Sequence, residues 1–154
     1  TARFLHTAGQ EPKKQRLAAA LQLLLPGMPM LYYGDEVGMD GGPDPDCRRG
    51  MLWDKTRQNQ NMLAWYQRLI LLRHQEPVLT EGELVCQHAE DSKGLLVMKR
   101  RLDGKSATLI FHIKGGTISL PDFQGQTELI SGRAFSGVLG EYEAAVLAND
   151  KTEG

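Results

Sequence analysis

The densest run of chemically competent side chains is residues 32–48, YYGDEVGMDGGPDPDCR. Asp44 and Arg48 stand four residues apart across a Pro-containing turn. A carboxylate offers only acceptors and a guanidinium only donors, in a fixed fork, so the two can grip vicinal hydroxyls of a sugar. They can equally bridge each other and hold the loop, and residue chemistry leaves both readings open. Asp35 and Glu36 are adjacent carboxylates. They can serve as acid and base, but neighbours along an extended segment point to opposite sides, which favours loop-bracing acceptors. Asp40, Asp44 and Asp46 among glycines suggest calcium. The EF-hand spacing is not met and no bidentate Glu follows, so turn-forming aspartates are expected, with no metal and no cofactor. Tyr32, Tyr33 and Trp53 can stack on a sugar face, although burial is expected for at least one tyrosine. His6, His74, His88 and His112 show no metal-ligand spacing, and His74 falls where a helix C-terminus explains it. No Ser-His-Asp or Cys-His set, dinucleotide fingerprint or P-loop is evident.

These residues need a scaffold, and the pattern divides near Pro77. Residues 11–25 carry strong helix formers with Leu17, Ala20, Leu21, Leu24 and Leu25 at helical spacing, between Pro12 at the start and Pro26-Gly27 at the stop. Residues 28–33, MPMLYY, form a short apolar run without polar alternation. That reads as a strand buried on both faces, as in a parallel sheet. Residues 34–45 are a Gly-, Pro- and Asp-rich loop. Residues 59–74 predict a second helix, with Met62, Trp65, Tyr66, Leu69 and Leu72 along one stripe. Beyond Pro77 the period shortens. Strands are expected over 95–101, 107–114, 117–120, 127–130 and 142–147, punctuated by Asp103-Gly104, Gly115-Gly116 and Ser131-Gly132. Ala107, Leu109, Phe111 and Ile113 are expected on one face. This is an antiparallel sandwich or meander. One parallel strand makes no sheet, so the first half reads as the tail of a larger α/β unit whose other strands lie upstream.

The chain has 154 residues, 41% hydrophobic and 24% charged, with a net charge of -1. That is a globular balance, and it offers no basic surplus for nucleic acid. No apolar stretch is long enough to span a bilayer. Cys47 and Cys86 are far apart and read as reduced thiols. No signal peptide is evident, so the expected compartment is cytoplasmic. The absent initiating Met points to a piece of something longer.

At the loop the sequence resembles a known family. Residues 26–54, PGMPMLYYGDEVGMDGGPDPDCRRGMLWD, resemble the eighth barrel strand and following loop of the α-amylase family of glycoside hydrolases. The DPDCR and MxW elements resemble its neopullulanase, maltogenic amylase and cyclomaltodextrinase branch. Residues 63–79, LAWYQRLILLRHQEPVL, resemble the last barrel helix, TARFL at the start resembles the segment after the last catalytic motif, and the β-rich remainder resembles the C-terminal domain. The resemblance implies a fold of α/β plus all-β type. Residues 1–77 would be the end of a (β/α)₈ barrel, 78–150 a C-terminal antiparallel β-sandwich, and 151–154 a tail.

It also implies a retaining hydrolase of α-glucosidic bonds in maltodextrins, cyclodextrins or pullulan. Such chemistry needs two carboxyls about 5 Å apart, and the family's three catalytic carboxylates would all precede Thr1. The chain alone is therefore expected to be inactive. Asp35 and Glu36 do not match catalytic positions. Asp44 and Arg48 match positions that hydrogen-bond glucose units on the non-reducing side of the cut, and Arg3, Asp35, Glu36 and Trp53 are expected as site support. The expected partners are an α-glucan oligosaccharide and the upstream remainder of the barrel, with no nucleic acid and no membrane. The uncovered strand is expected to drive self-association or rearrangement. A parent calcium requirement finds no support in the spacing. The rival reading is a non-catalytic glucan-binding or assembly module.

Overall fold

The computed structural model describes residues 1–149, so the expected tail 151–154 and the last residue of the expected β domain lie outside the described residues. The chain opens with a short α1 (Phe4–Thr7) and a longer α2 (Pro12–Leu24). Pro12 sits at the first helical position, where its missing N–H costs nothing, and the Glu11 side chain accepts from the Lys13 N–H. After the loop comes α3 (Gln60–Gln75), begun by Asn59, whose side chain accepts from the Met62 N–H at 3.0 Å. Pro77 then starts α4 (Pro77–Thr80).

The strands are β1 (Glu83–Glu90), β2 (Leu95–Leu102), β3 (Lys105–His112), β4 (Ile118–Ser119), β5 (Thr127–Glu128), β6 (Arg133–Ala134), β7 (Val138–Leu139) and β8 (Ala144–Asn149). Six of them form one antiparallel sheet in the order β1-β2-β3-β8-β5-β6, and β4 pairs with β7 separately. Strand β3 is central and buried on both faces, because each face has its own cover. Ala107, Leu109 and Phe111 face the helices and join Leu17, Leu24, Met62, Leu69 and Leu79 in the main core. Ile110 faces the other way and packs with Ile118, Leu139, Ala145 and Leu147 under the small β4–β7 sheet. Ile113, expected on the Leu109 face, lies beyond β3 and is 49% exposed.

Arginines fasten helices to sheet. Arg100 on β2 is 1% exposed, and its guanidinium donates to the carbonyls of Leu24 at 3.2 Å, Leu79 at 2.6 Å and Gly82 at 3.1 Å. Arg73 from α3 donates to Leu23 O and Gly27 O, both at 2.6 Å. The carbonyls at the end of α2 that lack helical partners thus meet two cations, as its dipole favours. Within the sheet, the buried Glu128 accepts the N–H groups of Ile130, Ser131 and Val146 and so shapes the β5 turn.

The expected strand over residues 28–33 does not form. The segment enters no ladder among the described residues. Met28 is 96% exposed, and Met30, Leu31, Tyr32 and Tyr33 are exposed as well. The cause is physical: a parallel strand closes its hydrogen bonds only against neighbours running the same way, and every described strand is committed to the antiparallel sheets. Both tyrosines therefore stay about two-fifths exposed, where burial of at least one was expected.

Candidate functional site

The loop between α2 and α3 is built from two tight turns. The first is a 3₁₀ turn, Asp35–Val37, bracketed by Gly34 and Gly38 with φ of 87° and 73°. The positive φ at Gly34 favours glycine, and a Cβ there would also press on the Met39 side chain. The second is the 3₁₀ turn Asp46–Arg48, entered through a cis Asp44–Pro45 bond.

Arg3 locks the first turn. Its Nη1 donates to Tyr33 O at 2.7 Å and to Asp35 Oδ1 at 3.0 Å, and its guanidinium lies over the rings of Tyr32 and Tyr33 at 4.6 and 4.8 Å. Its backbone N–H donates to Gly41 O at 2.9 Å. The side chain is wholly buried, and its Nε and Nη2 find no acceptor among the described residues. Gln15 of α2 donates to Asp35 O at 2.8 Å, and the Asn59 N–H donates to Val37 O at 2.9 Å, so both flanking helices hold the turn. Burial pushes the Asp35 carboxyl above the ordinary carboxylate range, against the opposing pull of Arg3. Desolvation, reinforced by the Asp35 charge, pushes the Tyr66 hydroxyl up to about 12. Glu36 sits half-buried beside Asp35.

The second turn holds itself. Asp46 accepts the Gly42 N–H at 2.6 Å and the Arg49 Nε at 2.6 Å, and these bonds hold its carboxyl below the usual range. The Tyr33 hydroxyl donates to Arg49 O at 2.6 Å, tying the two turns together. Asp40 takes Gln10 Nε2 at 2.9 Å and lies 3.4 Å from His6 Nδ1.

Asp44 and Arg48 differ from the rest. They form an ion pair at 3.3 Å, yet both head groups face solvent, with side chains 54% and 71% exposed. Such an exposed pair stabilises little. Trp53 is 79% exposed at the loop's far end. The structure thus gathers Arg3, Asp35, Asp40, Asp46 and Tyr33 into one hydrogen-bonded unit and leaves Asp44, Arg48 and Trp53 projecting from it. Sequence reasoning had no means of finding the Gln15 anchor, because a glutamine on an apolar helix face carries no distinctive signal. No group of three or more His, Cys, Asp or Glu side chains able to hold a metal forms among the described residues. No helix of the described residues is long and apolar enough to cross a membrane.

No family model matches the chain. Individual proteins do. Neopullulanase 2 of Thermoactinomyces vulgaris is 33% identical over 164 residues, covering 98% of the chain and 28% of that enzyme. The intracellular maltogenic amylase of Bacillus subtilis is 40% identical over 119 residues, covering 77% of the chain and 20% of that protein. Among solved structures, a maltogenic amylase from S. marinus superposes over 96% of the chain and 21% of its own length, at 25% identity and a TM-score of 0.85. The chain therefore spans about a quarter of the length of the curated relatives it matches.

Proposed function

The chain is a relative of the neopullulanases, maltogenic amylases and cyclomaltodextrinases of the α-amylase family, and on that premise we propose that it supplies the C-terminal part of a retaining glycoside hydrolase. The substrates are maltodextrins, cyclodextrins or pullulan, cut at α-glucosidic bonds. Residues 1–77 are the end of a (β/α)₈ barrel and 78–150 its C-terminal β domain. Residues 28–33 are the eighth barrel strand. Two features support this: the segment is apolar and joins no sheet ladder, and it lies between two helices, α2 and α3, that pack on each other. In a closed barrel it would gain a parallel neighbour on each side.

The observation that carries the reading is the Asp44–Arg48 pair. The loop around it is anchored by buried bonds, yet the pair itself spends its hydrogen-bonding capacity on one solvent-facing contact. A glucose unit entering there offers vicinal hydroxyls. One donates to Asp44 and its neighbour accepts from the Arg48 fork, so the ion pair opens at little cost. Trp53 stacks on a sugar face. Arg3 and Asp35 act on the sugar only by keeping the loop in shape, with Glu36 beside them.

The chain alone does not turn over glucan. Retaining hydrolysis needs two carboxyls about 5 Å apart across the bond. The loop carboxylates are already engaged: Asp35 by Arg3, Asp46 by Gly42 and Arg49, Asp40 by Gln10.

Calorimetric titration with maltotriose tests the site. Asp44→Ala and Arg48→Ala are each expected to weaken binding by roughly tenfold, the loss typical of a hydrogen bond to a charged group. Unaltered binding in both variants refutes the assignment. Turnover of cyclodextrin by the purified chain refutes the inactivity. A binding or assembly module shares the inactive chain, but it would not gain activity when the chain is extended upstream to include acidic barrel strands.

A further inference from the structure

A second concavity, which shares no lining residue with the loop, lies along the seam where α2 and α3 meet the β domain. It has a volume of about 450 Å³, within the range of small-ligand sites. Its walls combine two aromatic rings, Trp65 and Tyr142, with the guanidinium groups of Arg16, Arg68 and Arg133 and the carboxylate of Glu143. The rings are fixed from behind. The Trp65 indole N–H donates to Arg16 O at 2.9 Å, and the Arg16 guanidinium lies 4.5 Å from the ring centre. Lys14 Nζ sits 5.2 Å from the Tyr142 ring.

The polar groups are uneven in their commitments. The guanidinium groups of Arg68 and Arg133 make no hydrogen bond or ion pair among the described residues, while the Arg133 backbone N–H donates to the Ser131 hydroxyl at 3.3 Å. Glu143 Oε2 takes the Gly140 N–H at 2.8 Å, one of about four acceptor positions that a carboxylate offers. Half-burial lowers the Arg16 pKa, with the Glu143 charge opposing the shift and the nearby Arg68 charge adding to it. The groove therefore holds rigid aromatic surface, uncommitted donors and a spare acceptor together. The fold's own hydrogen bonds use only the Trp65 indole N–H and one Glu143 oxygen among them.

We propose that this groove is a second carbohydrate site, which binds a short α-glucan between Trp65 and Tyr142, with Arg68, Arg133 and Glu143 gripping its hydroxyls. A sugar presents an apolar C–H face to a ring and alternating donors and acceptors at its rim, which is the mixture the groove displays. An anion would use the guanidinium groups and be repelled by Glu143, and a purely apolar ligand would leave the Arg68 and Arg133 guanidinium groups without partners. The choice of a glucan rests on the proposed function, whereas the site is separate from the loop of Asp44 and Arg48.

The two tryptophans of the chain, Trp53 in the loop and Trp65 in the groove, allow each site to be read alone. In Trp53→Phe, emission reports the groove, and titration with maltotriose is expected to give a saturable change. Adding Arg68→Ala and Arg133→Ala, both at exposed positions, is expected to weaken that response more than tenfold while the circular dichroism spectrum stays unchanged. In Trp65→Phe, emission reports the loop and responds to Asp44→Ala instead. If Trp53→Phe gives no saturable change where Trp65→Phe saturates, the second site is refuted and the loop reading stands. The opposite pattern refutes the loop and keeps the groove. Silence in both refutes both. Unchanged affinity after the double arginine replacement, or saturation by inorganic phosphate but not by maltotriose, also refutes the groove assignment.

Discussion

Replacing Arg3 by Met keeps much of the side-chain volume and removes the guanidinium that holds the Asp35 turn. Three contributions set the magnitude. Removing one partner of a buried ion pair costs about 3–5 kcal/mol; the Asp35 side chain retains 20% exposure, so the lower end applies. Loss of the two ring contacts, at 4.6 and 4.8 Å, adds about 0.5–1 kcal/mol each. Against this, Nε and Nη2 are buried without partners, and removing such donors recovers about 1–3 kcal/mol. The net expectation is a loss of about 2 kcal/mol, concentrated in the loop. Hydrogen exchange at the Val37, Met39 and Asn59 amides, which bond within and onto the turn, reads that loss directly. Their opening equilibrium should rise by roughly thirtyfold, while amides of β3 move much less.

The pH dependence supplies a second reading. Asp35 titrates above its ordinary value in the folded chain, chiefly through burial. A carboxyl shifted upward contributes stability at pH below its unfolded value, and that contribution is lost as pH rises through the folded value. Without Arg3 nothing opposes the burial effect, so the shift grows. The deficit of Arg3→Met should be largest near neutral pH and shrink as pH falls through the Asp35 titration. The double variant Arg3→Met/Asp35→Asn should recover part of the loss. Equal protection of the three amides in wild type and Arg3→Met, or a deficit independent of pH, would refute the reasoning.

Arg100→Met strips three buried carbonyls, on Leu24, Leu79 and Gly82, of their donor. About 2–4 kcal/mol of global stability should be lost in urea unfolding, and Arg100→Lys should rescue little because a single ammonium cannot span the fork. Asp46 shows the opposite sign to Asp35. Its carboxyl is held low by the Gly42 N–H and Arg49, so its contribution is present above the ordinary carboxylate range and disappears as pH falls through the depressed value; Asp46→Asn should flatten that acid-side slope in a thermal melt. Asp44→Ala and Arg48→Ala should leave unfolding free energy within about 0.5 kcal/mol of wild type, since both groups are exposed. The apolar segment 28–33 should drive self-association in light scattering, and Met28→Glu with Met30→Lys should shift the chain toward monomer without changing its sheet content.

What the sequence made legible follows from how far apart the interacting residues lie. The helices α2 and α3 announce themselves because their caps and apolar stripes sit within one or two turns of each other, and the structure places their ends within a residue or two of the expected positions. The inner strands β2, β3 and β8 were readable for a similar reason, as dense apolar runs between turn residues. Strand β1 carries no such signal. It is an edge strand with mostly exposed residues and a register shift between Leu84 and Cys86, so no core-facing alternation is written into it. The residues 28–33 erred in the other direction. Their composition encodes burial between parallel neighbours, and composition alone cannot report whether those neighbours are present. The loop divides along the same line. The Asp44–Arg48 pairing is a local spacing and was visible as two open alternatives. Arg3 gripping Asp35 joins residues 32 positions apart, and only the fold brings them within 3.0 Å. Local signals therefore name the groups that can touch a ligand, and long-range contacts decide how rigidly they are presented. On this chain the rigidity comes from a buried arginine with two unused donors, and for that reason the loop's shape, more than its charge pair, is the property that mutation should probe first.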